Sequence, residues 1–123
     1  MSVRRDANAM IAIVEDDRAV RNSLEFSLET QGYRVCGFDC AEDALSSQHA
    51  VAADCLIIDY ALPDMTGTDL LAALRGRGQQ CPAIIIASNP SFRCRAEAAA
   101  AGAPLVEKPM LGDSLNEHLR ALV

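Results

Sequence analysis

The sequence predicts an α/β fold in which a five-stranded parallel sheet is wound on both faces by helices. Three observations carry this reading. The runs Met10-Ile11-Ala12-Ile13-Val14, Leu56-Ile57-Ile58 and Ile84-Ile85-Ile86 are apolar without alternation, which suits strands buried on both faces. Segments with apolar residues at helical spacing separate these runs, so strand and helix alternate along the chain. Two of the runs end directly in acidic residues, Glu15-Asp16-Asp17 and Asp59. The carboxyl ends of parallel strands are where open α/β sheets bind ligands.

Taken in order, Met1 to Ala9 reads as a flexible leader and Met10 to Val14 as the first strand. Val20, Leu24 and Leu28, spaced by four, mark the inner face of a first helix that stops at Gly32. Tyr33 to Phe38 is a second strand. Asp39 to Glu42 then gives a helix-start signal for one helix through about Gln48. Asp54 to Ile58 forms the third strand, after which Pro63 and Gly67 break the chain and turn it away, leaving Asp59 at the rim. Leu70, Leu71 and Leu74 mark a third helix closed by Gly76 to Gly78, and Pro82 to Ala87 is the fourth strand. Ser91 to Ala101 is alanine-rich and should be helical, because alanine has the best helix propensity, with Gly102 as terminator. Leu105 to Glu107 is a fifth strand, and Leu115, Leu119 and Leu122 give a last helix with one apolar stripe. The right-handed crossovers that parallel strands require then place helices on both faces.

The 123 residues amount to one domain with one sizeable core, assigned to residues 10–123 behind the leader 1–9. Half the residues are hydrophobic and tryptophan is absent, so the core is aliphatic. A net charge of −6 argues against direct nucleic-acid binding, because phosphate backbones are met by an excess of lysine and arginine. No apolar run approaches the roughly 18 residues of a membrane span, and the polar start lacks the apolar core of a secretory signal, so a cytoplasmic location is expected. Five cysteines, Cys36, Cys40, Cys55, Cys81 and Cys94, form no CxxC pair and have no histidine at zinc-ligand spacing. They read as reduced apolar residues, with a redox role for Cys94 as the minor alternative.

Four charged groups fall at strand ends: Glu15 and Asp16 after the first strand, Asp59 after the third, Lys108 after the fifth. In the doubly wound order in which strand one sits between two and three, these ends are neighbours. Carboxylates gathered in one cleft repel unless a cation intervenes. Mg²⁺ prefers hard oxygen ligands and is held by one or two carboxylates plus a phosphate oxygen. Asp16 and Asp59 are the candidate direct ligands, Glu15 the holder of a coordinated water, and the backbone carbonyl of Ala61 a further ligand. Asp59 is then a nucleophile toward a phosphoryl group, with Lys108 neutralising charge on the transferred oxygens. Taken alone, acids after a strand are commonly helix caps, a strand-end aspartate is commonly structural, and a Lys-Pro pair says little. Their joint placement carries the reading.

Asp59 is followed by Leu62-Pro63 at three and four residues and by Gly67 at eight, and Lys108 by Pro109. With the acidic pair Glu15-Asp16, this pattern resembles the response-regulator receiver family, and the likeness runs from Met10 to Leu122. The resemblance implies a flavodoxin-like, CheY-like (βα)5 fold with sheet order 2-1-3-4-5. It implies that Asp59 is phosphorylated by a sensor histidine kinase or a phosphotransfer protein, that Glu15 and Asp16 bind Mg²⁺, and that Lys108 contacts the phosphoryl group, with Pro109 the candidate for a cis bond. Such a domain catalyses only its own phosphorylation and slow dephosphorylation. It acts on an unknown downstream protein and commonly pairs through the face of the fourth helix, fifth strand and fifth helix.

The sequence departs from the family at two positions. The resemblance implies a serine or threonine at the end of the fourth strand and an aromatic residue in the fifth, but Ala87 and Leu105 stand there. Ala87 cannot hydrogen-bond a phosphoryl oxygen, and Leu105 has no ring. The neighbouring Ser88 supplies a hydroxyl only if the loop rearranges, because successive strand residues face opposite sides. The expectation is retained phosphoacceptor chemistry with an absent or rerouted relay. The alternative is a pseudo-receiver, an interaction module not regulated by phosphorylation. An aspartate-nucleophile phosphatase is weaker, since Ala61 occupies the place of its second aspartate. Nucleotide binding is weaker still, because no glycine-rich loop follows the first strand.

Overall fold

The computed structural model describes residues 9–109 and 114–122. Residues 1–8 of the predicted leader therefore lie outside the described residues, as does the side chain of Leu122. Among the described residues the chain runs β1 (Met10–Val14), α1 (Arg18–Thr30), β2 (Arg34–Phe38), α2 (Ala41–Leu45), α3 (Gln48–Val51), β3 (Cys55–Asp59), α4 (Gly67–Gly76), β4 (Ala83–Ser88), α5 (Phe92–Ala100), β5 (Leu105–Lys108) and α6 (Ser114–Leu122). The strands form one sheet in the order β2-β1-β3-β4-β5. Every pairing is parallel.

Successive strand residues point to opposite faces, and this divides the core in two. Ala12, Val14, Leu56, Ile58 and Ile85 pack with the α4 leucines Leu70, Leu71 and Leu74. Ile11, Ile13, Ile57, Ile84 and Ile86 pack on the other face with Leu24 and Leu28 of α1 and Leu115 and Leu119 of α6. Each fully buried isoleucine or leucine contributes on the order of 1.5–3 kcal/mol relative to exposure. The central strands are apolar on both faces up to their carboxyl ends, where Asp59 and Ser88 stand, which is why their sequences do not alternate.

Helix ends follow local chemistry at most junctions. Asp17 caps α1 by accepting a hydrogen bond from the Val20 N–H at 3.1 Å. Thr66 caps α4 through the Asp69 N–H, and Ser91 caps α5 through the Cys94 N–H. Gly32 and Gly102 follow α1 and α5 with φ of 99° and 70°, the left-handed conformation that a glycine adopts without steric cost.

Two expectations are corrected. The single helix expected from Asp39–Glu42 to Gln48 is two short helices, α2 and α3, broken at Ser46-Ser47. The Ser46 hydroxyl turns back to the Glu42 carbonyl at 3.0 Å, and the Ser47 hydroxyl caps α3 at the His49 N–H. Both serines thus compete with the helical ladder. The cap of α2 is also remote: Asp64, in the loop after β3, accepts from the N–H groups of Ala41 and Glu42 at 3.0 and 2.9 Å. Gly67, read as a chain breaker, is instead the first residue of α4. A Cβ there would collide with the Asp59 carbonyl oxygen and stand 2.9 Å from Ile58 Cγ2. Close approach of α4 to the end of β3, rather than a turn, is what requires glycine.

Candidate functional site

The carboxyl ends of β1, β3, β4 and β5 meet on one edge of the sheet, and each delivers a polar or charged group. Glu15 follows β1; its N–H extends the ladder to the Phe38 carbonyl at 3.0 Å, and its side chain is fully buried. Arg21 fastens the turn by donating to the Glu15 carbonyl at 2.7 Å. Asp59 ends β3 and is only 3% exposed. Lys108 ends β5, and the Lys108–Pro109 peptide bond is cis.

These side chains are in contact. Lys108 Nζ lies 3.1 Å from Glu15 Oε1 and 3.1 Å from Asp59 Oδ1. Glu15 Oε2 accepts the Asp17 N–H at 3.0 Å, so both Glu15 oxygens are engaged. Asp16 is exposed at the rim, and carboxylate oxygens of Glu15, Asp16 and Asp59 all lie within 4.8 Å of one another. Burial, and next the nearby Glu15 charge, push the Asp59 carboxyl up to about 6, against the hydrogen bond and charge of Lys108. Burial opposes the Lys108 ammonium, but its hydrogen bonds to Glu15 and Asp59 outweigh that effect and raise its pKa.

A cleft of ≈ 250 Å³ opens above Asp59, lined in part by Tyr60, Ala61, Ala87, Ser88 and Lys108. Ala87 is nearly buried opposite Glu107, while Ser88 is exposed in register with Lys108. Leu105 is half-buried and packs on the α4 side of the core. A second cleft of ≈ 640 Å³ lies on the other side of Lys108, between α1 and α6, lined by Val20, Ser23, Leu24 and Leu115.

Several contributing residues carry no recognisable signal in the sequence. Tyr60, Thr68, Arg93 and Glu97 form one hydrogen-bonded group beside the cleft. Gln79, 4% exposed, donates to the carbonyls of Ala50, Val51 and Ala53 and accepts from the Cys81 N–H, fixing the end of α3 to the entry of β4. All five cysteines are free. Burial pushes the Cys55 thiol to about 12 and Cys81 to about 11, and it also raises Cys94, which opposes a thiolate role at each.

Sheet order, strand-end acids and the Lys108 contact define a receiver-type α/β domain. The chain belongs to the response regulator receiver domain family, whose profile matches residues 11–120. It is 34% identical to the two-component response regulator PhoP of Pseudomonas aeruginosa over 114 residues, covering 92% of this chain and 51% of PhoP. It is likewise 34% identical to the response regulator MprA of Mycobacterium tuberculosis, covering 100% of this chain and 51% of MprA. The chain thus spans about half the length of the curated relatives it matches. Among solved structures, the chemotaxis response regulator CheY4 of Vibrio cholerae superposes with a TM-score of 0.84 at 25% identity, covering 94% of this chain and 99% of CheY4. FixJ-N superposes with a TM-score of 0.79 at 31% identity, covering 93% and 91%. The fold is CheY-like, and the family is that of two-component signalling. Among the described residues no helix is long and apolar enough to cross a membrane.

Proposed function

We propose that this domain accepts a phosphoryl group on Asp59 from a phosphohistidine of a sensor histidine kinase or phosphotransfer protein. One observation carries the reading: a single ammonium, Lys108 Nζ, stands 3.1 Å from the Asp59 carboxylate and 3.1 Å from the buried Glu15. An Asp59 oxygen forms the bond to phosphorus while the phosphorus–nitrogen bond of the donor breaks, its electron pair leaving on the imidazole. Lys108 is placed to neutralise charge on the transferred oxygens, the main contribution a protein makes to this chemistry.

The acidic cluster suits Mg²⁺, because its oxygens are hard and mutually close. Asp16 and Asp59 would be direct ligands with the Ala61 carbonyl. Glu15, whose oxygens already accept from Lys108 and the Asp17 N–H, would act through a water. Held there, Mg²⁺ would offset the repulsion among these carboxylates and the incoming phosphoryl oxygens.

On this reading residues 10–123 form a single phosphoacceptor domain in the cytoplasm that catalyses only its own phosphorylation and slow dephosphorylation. Its output is a contact with a downstream protein, and the face of α5, β5 and α6 is available for pairing with a second copy. A second reading, an interaction module insensitive to phosphorylation, is favoured by Ala87 and Leu105, which supply neither hydroxyl nor ring.

The deciding measurement is intact mass after incubation with Mg²⁺ and acetyl phosphate, with Asp59→Asn in parallel. A phosphoryl adduct on the parent that is missing from the variant is the expected result. No adduct on the parent, with Mg²⁺ binding shown separately, rejects the reading and favours the interaction module.

A further inference from the structure

Tyr60 follows Asp59 directly, and its main chain is held on both sides. Its N–H donates to the Ile86 carbonyl of β4 at 2.8 Å, and its carbonyl accepts the Gly67 N–H at the start of α4 at 2.7 Å. Gly67 in turn packs against the Asp59 carbonyl with no room for a methyl group. The backbone of the Asp59-Tyr60 pair therefore has little slack, and a change at Asp59 falls on the groups Tyr60 carries.

The Tyr60 side chain runs to α5. Its phenol donates to Glu97 Oε1 at 2.7 Å, and the same oxygen accepts from Thr68 Oγ1 of α4 at 3.0 Å. The other oxygen, Glu97 Oε2, pairs with Arg93 Nε at 2.9 Å one turn earlier on α5. One carboxylate thus ties the residue after the phosphoacceptor to both helices that flank β4. Hydrogen bonds from Tyr60, Arg93 and Thr68 hold the Glu97 carboxyl below the usual carboxylate range, so it accepts as an anion. Tyr60 also lines the ≈ 250 Å³ cleft above Asp59. A phosphoryl group seated there brings negative charge and new acceptor oxygens beside it.

We propose that the Tyr60–Glu97 hydrogen bond carries the phosphorylation state of Asp59 to α5, in place of a relay through Ala87 and Leu105. A rigid phenol ending on a carboxylate has two discrete states, paired and unpaired, which is what a switch element requires. Ala87 and Leu105 offer no comparable pair. The signal leaves through α5, whose exposed surface presents Phe92, Arg93 and Arg95. This inference rests on Asp59 being the phosphoacceptor.

The test compares parent, Glu97→Gln, Tyr60→Phe and the double variant, each with Mg²⁺ and acetyl phosphate. Intact mass reads the adduct, and amide chemical shifts read α5, Phe92 to Ala100, before and after phosphorylation. Glu97→Gln is expected to retain the adduct while its phosphorylation-dependent α5 shifts fall by about fivefold, the ratio a hydrogen bond of ordinary net strength controls. Tyr60→Phe, which removes one oxygen atom, is expected to lose the same shifts, and the double variant to lose no more than either single one. A purely structural Glu97 would move α5 resonances equally in both states and leave the difference intact. That result, with the adduct present, overturns this inference alone. No adduct on the parent overturns the phosphoacceptor reading and this inference with it.

Discussion

Lys108 and Glu15, 93 residues apart in sequence, form an ion pair at 3.1 Å in which the glutamate is fully buried. The pair explains how a deeply buried acid is tolerated at the end of β1: one oxygen accepts from the ammonium and the other from the Asp17 N–H. It also holds Lys108 toward Asp59 on its other side. Among the described residues the buried Glu15 and Asp59 carboxylates share the Lys108 ammonium and stand beside Asp16, so these four side chains together carry excess negative charge.

That excess predicts the behaviour of Asp59→Asn. In metal-free buffer the substitution is expected to stabilise the domain at pH 7 by on the order of 2–3 kcal/mol, measured by urea unfolding. The Asp59 carboxyl sits at about 6 in the fold against 3.8 as a free group, so the fold binds the proton more tightly than the unfolded chain does. Its contribution is therefore fully present below 3.8 and is lost as the pH rises through about 6. The gap between variant and parent should close as pH falls toward 4, and adding Mg²⁺ should stabilise the parent more than the variant. A variant no more stable than the parent at pH 7 would contradict the burial-driven shift.

Gly67→Ala is expected to destabilise the fold by about 1–3 kcal/mol, the usual cost of overpacking a closed contact. The new methyl group meets backbone at Asp59 and a side chain at Ile58, and the backbone cannot rotate away as a surface side chain would. Gly76→Ala, with open space around it, is the control and should be neutral or slightly stabilising. Equal unfolding midpoints for the two variants would show that α4 can retreat from β3.

What the sequence made legible is what strands and their ends dictate locally. Ile84-Ile85-Ile86 allows no amphipathic reading, and the structure buries these residues alternately on two faces. Asp59 and Lys108 are legible because a parallel sheet brings strand ends together whatever the loops do. The cap of α2 leaves no local trace because its acceptor, Asp64, lies 22 and 23 residues from its donors, while Asp39 to Glu42 supplies only the start signal. Glu97 reads as an ordinary charge on an exposed helix; its partners Tyr60 and Thr68 are 37 and 29 residues away. Gln79 is hidden for the same reason. Side chains that bond across the fold leave no periodic trace.

Asp64→Ala should loosen the start of α2 specifically. Hydrogen bonds from the Ala41 and Glu42 N–H groups hold the Asp64 carboxyl below the usual value of 3.8. A depressed carboxylate contributes stability that is present above 3.8 and is lost as pH falls through its folded value. The stability difference between parent and Asp64→Ala is therefore expected at pH 6 and should shrink as pH is taken below 3.8. Hydrogen exchange at Ala41 and Glu42 should quicken in the variant at pH 6 while exchange in β3 is unchanged. Protection retained at both amides would mean that Asp64 is dispensable as the cap.

Ala87→Thr tests whether the missing hydroxyl matters. The position is nearly buried at the end of β4 and lines the ≈ 250 Å³ cleft that Asp59 also lines, so a threonine gains a hydroxyl where a phosphoryl group would sit. Threonine is β-branched and suits a strand, so the fold should accept it. With Mg²⁺ and acetyl phosphate, the variant is expected to show larger phosphorylation-dependent amide shifts than the parent at Ala87, Ser88 and the facing residues Glu107 and Lys108 of β5. The shifts in α5 should remain, because the Tyr60–Glu97 hydrogen bond is untouched. A variant that responds as the parent does at β4 and β5 would show that the hydroxyl is not what the parent lacks. The alanine would then be neutral to signalling, and Leu105 would have to be tested next by Leu105→Tyr.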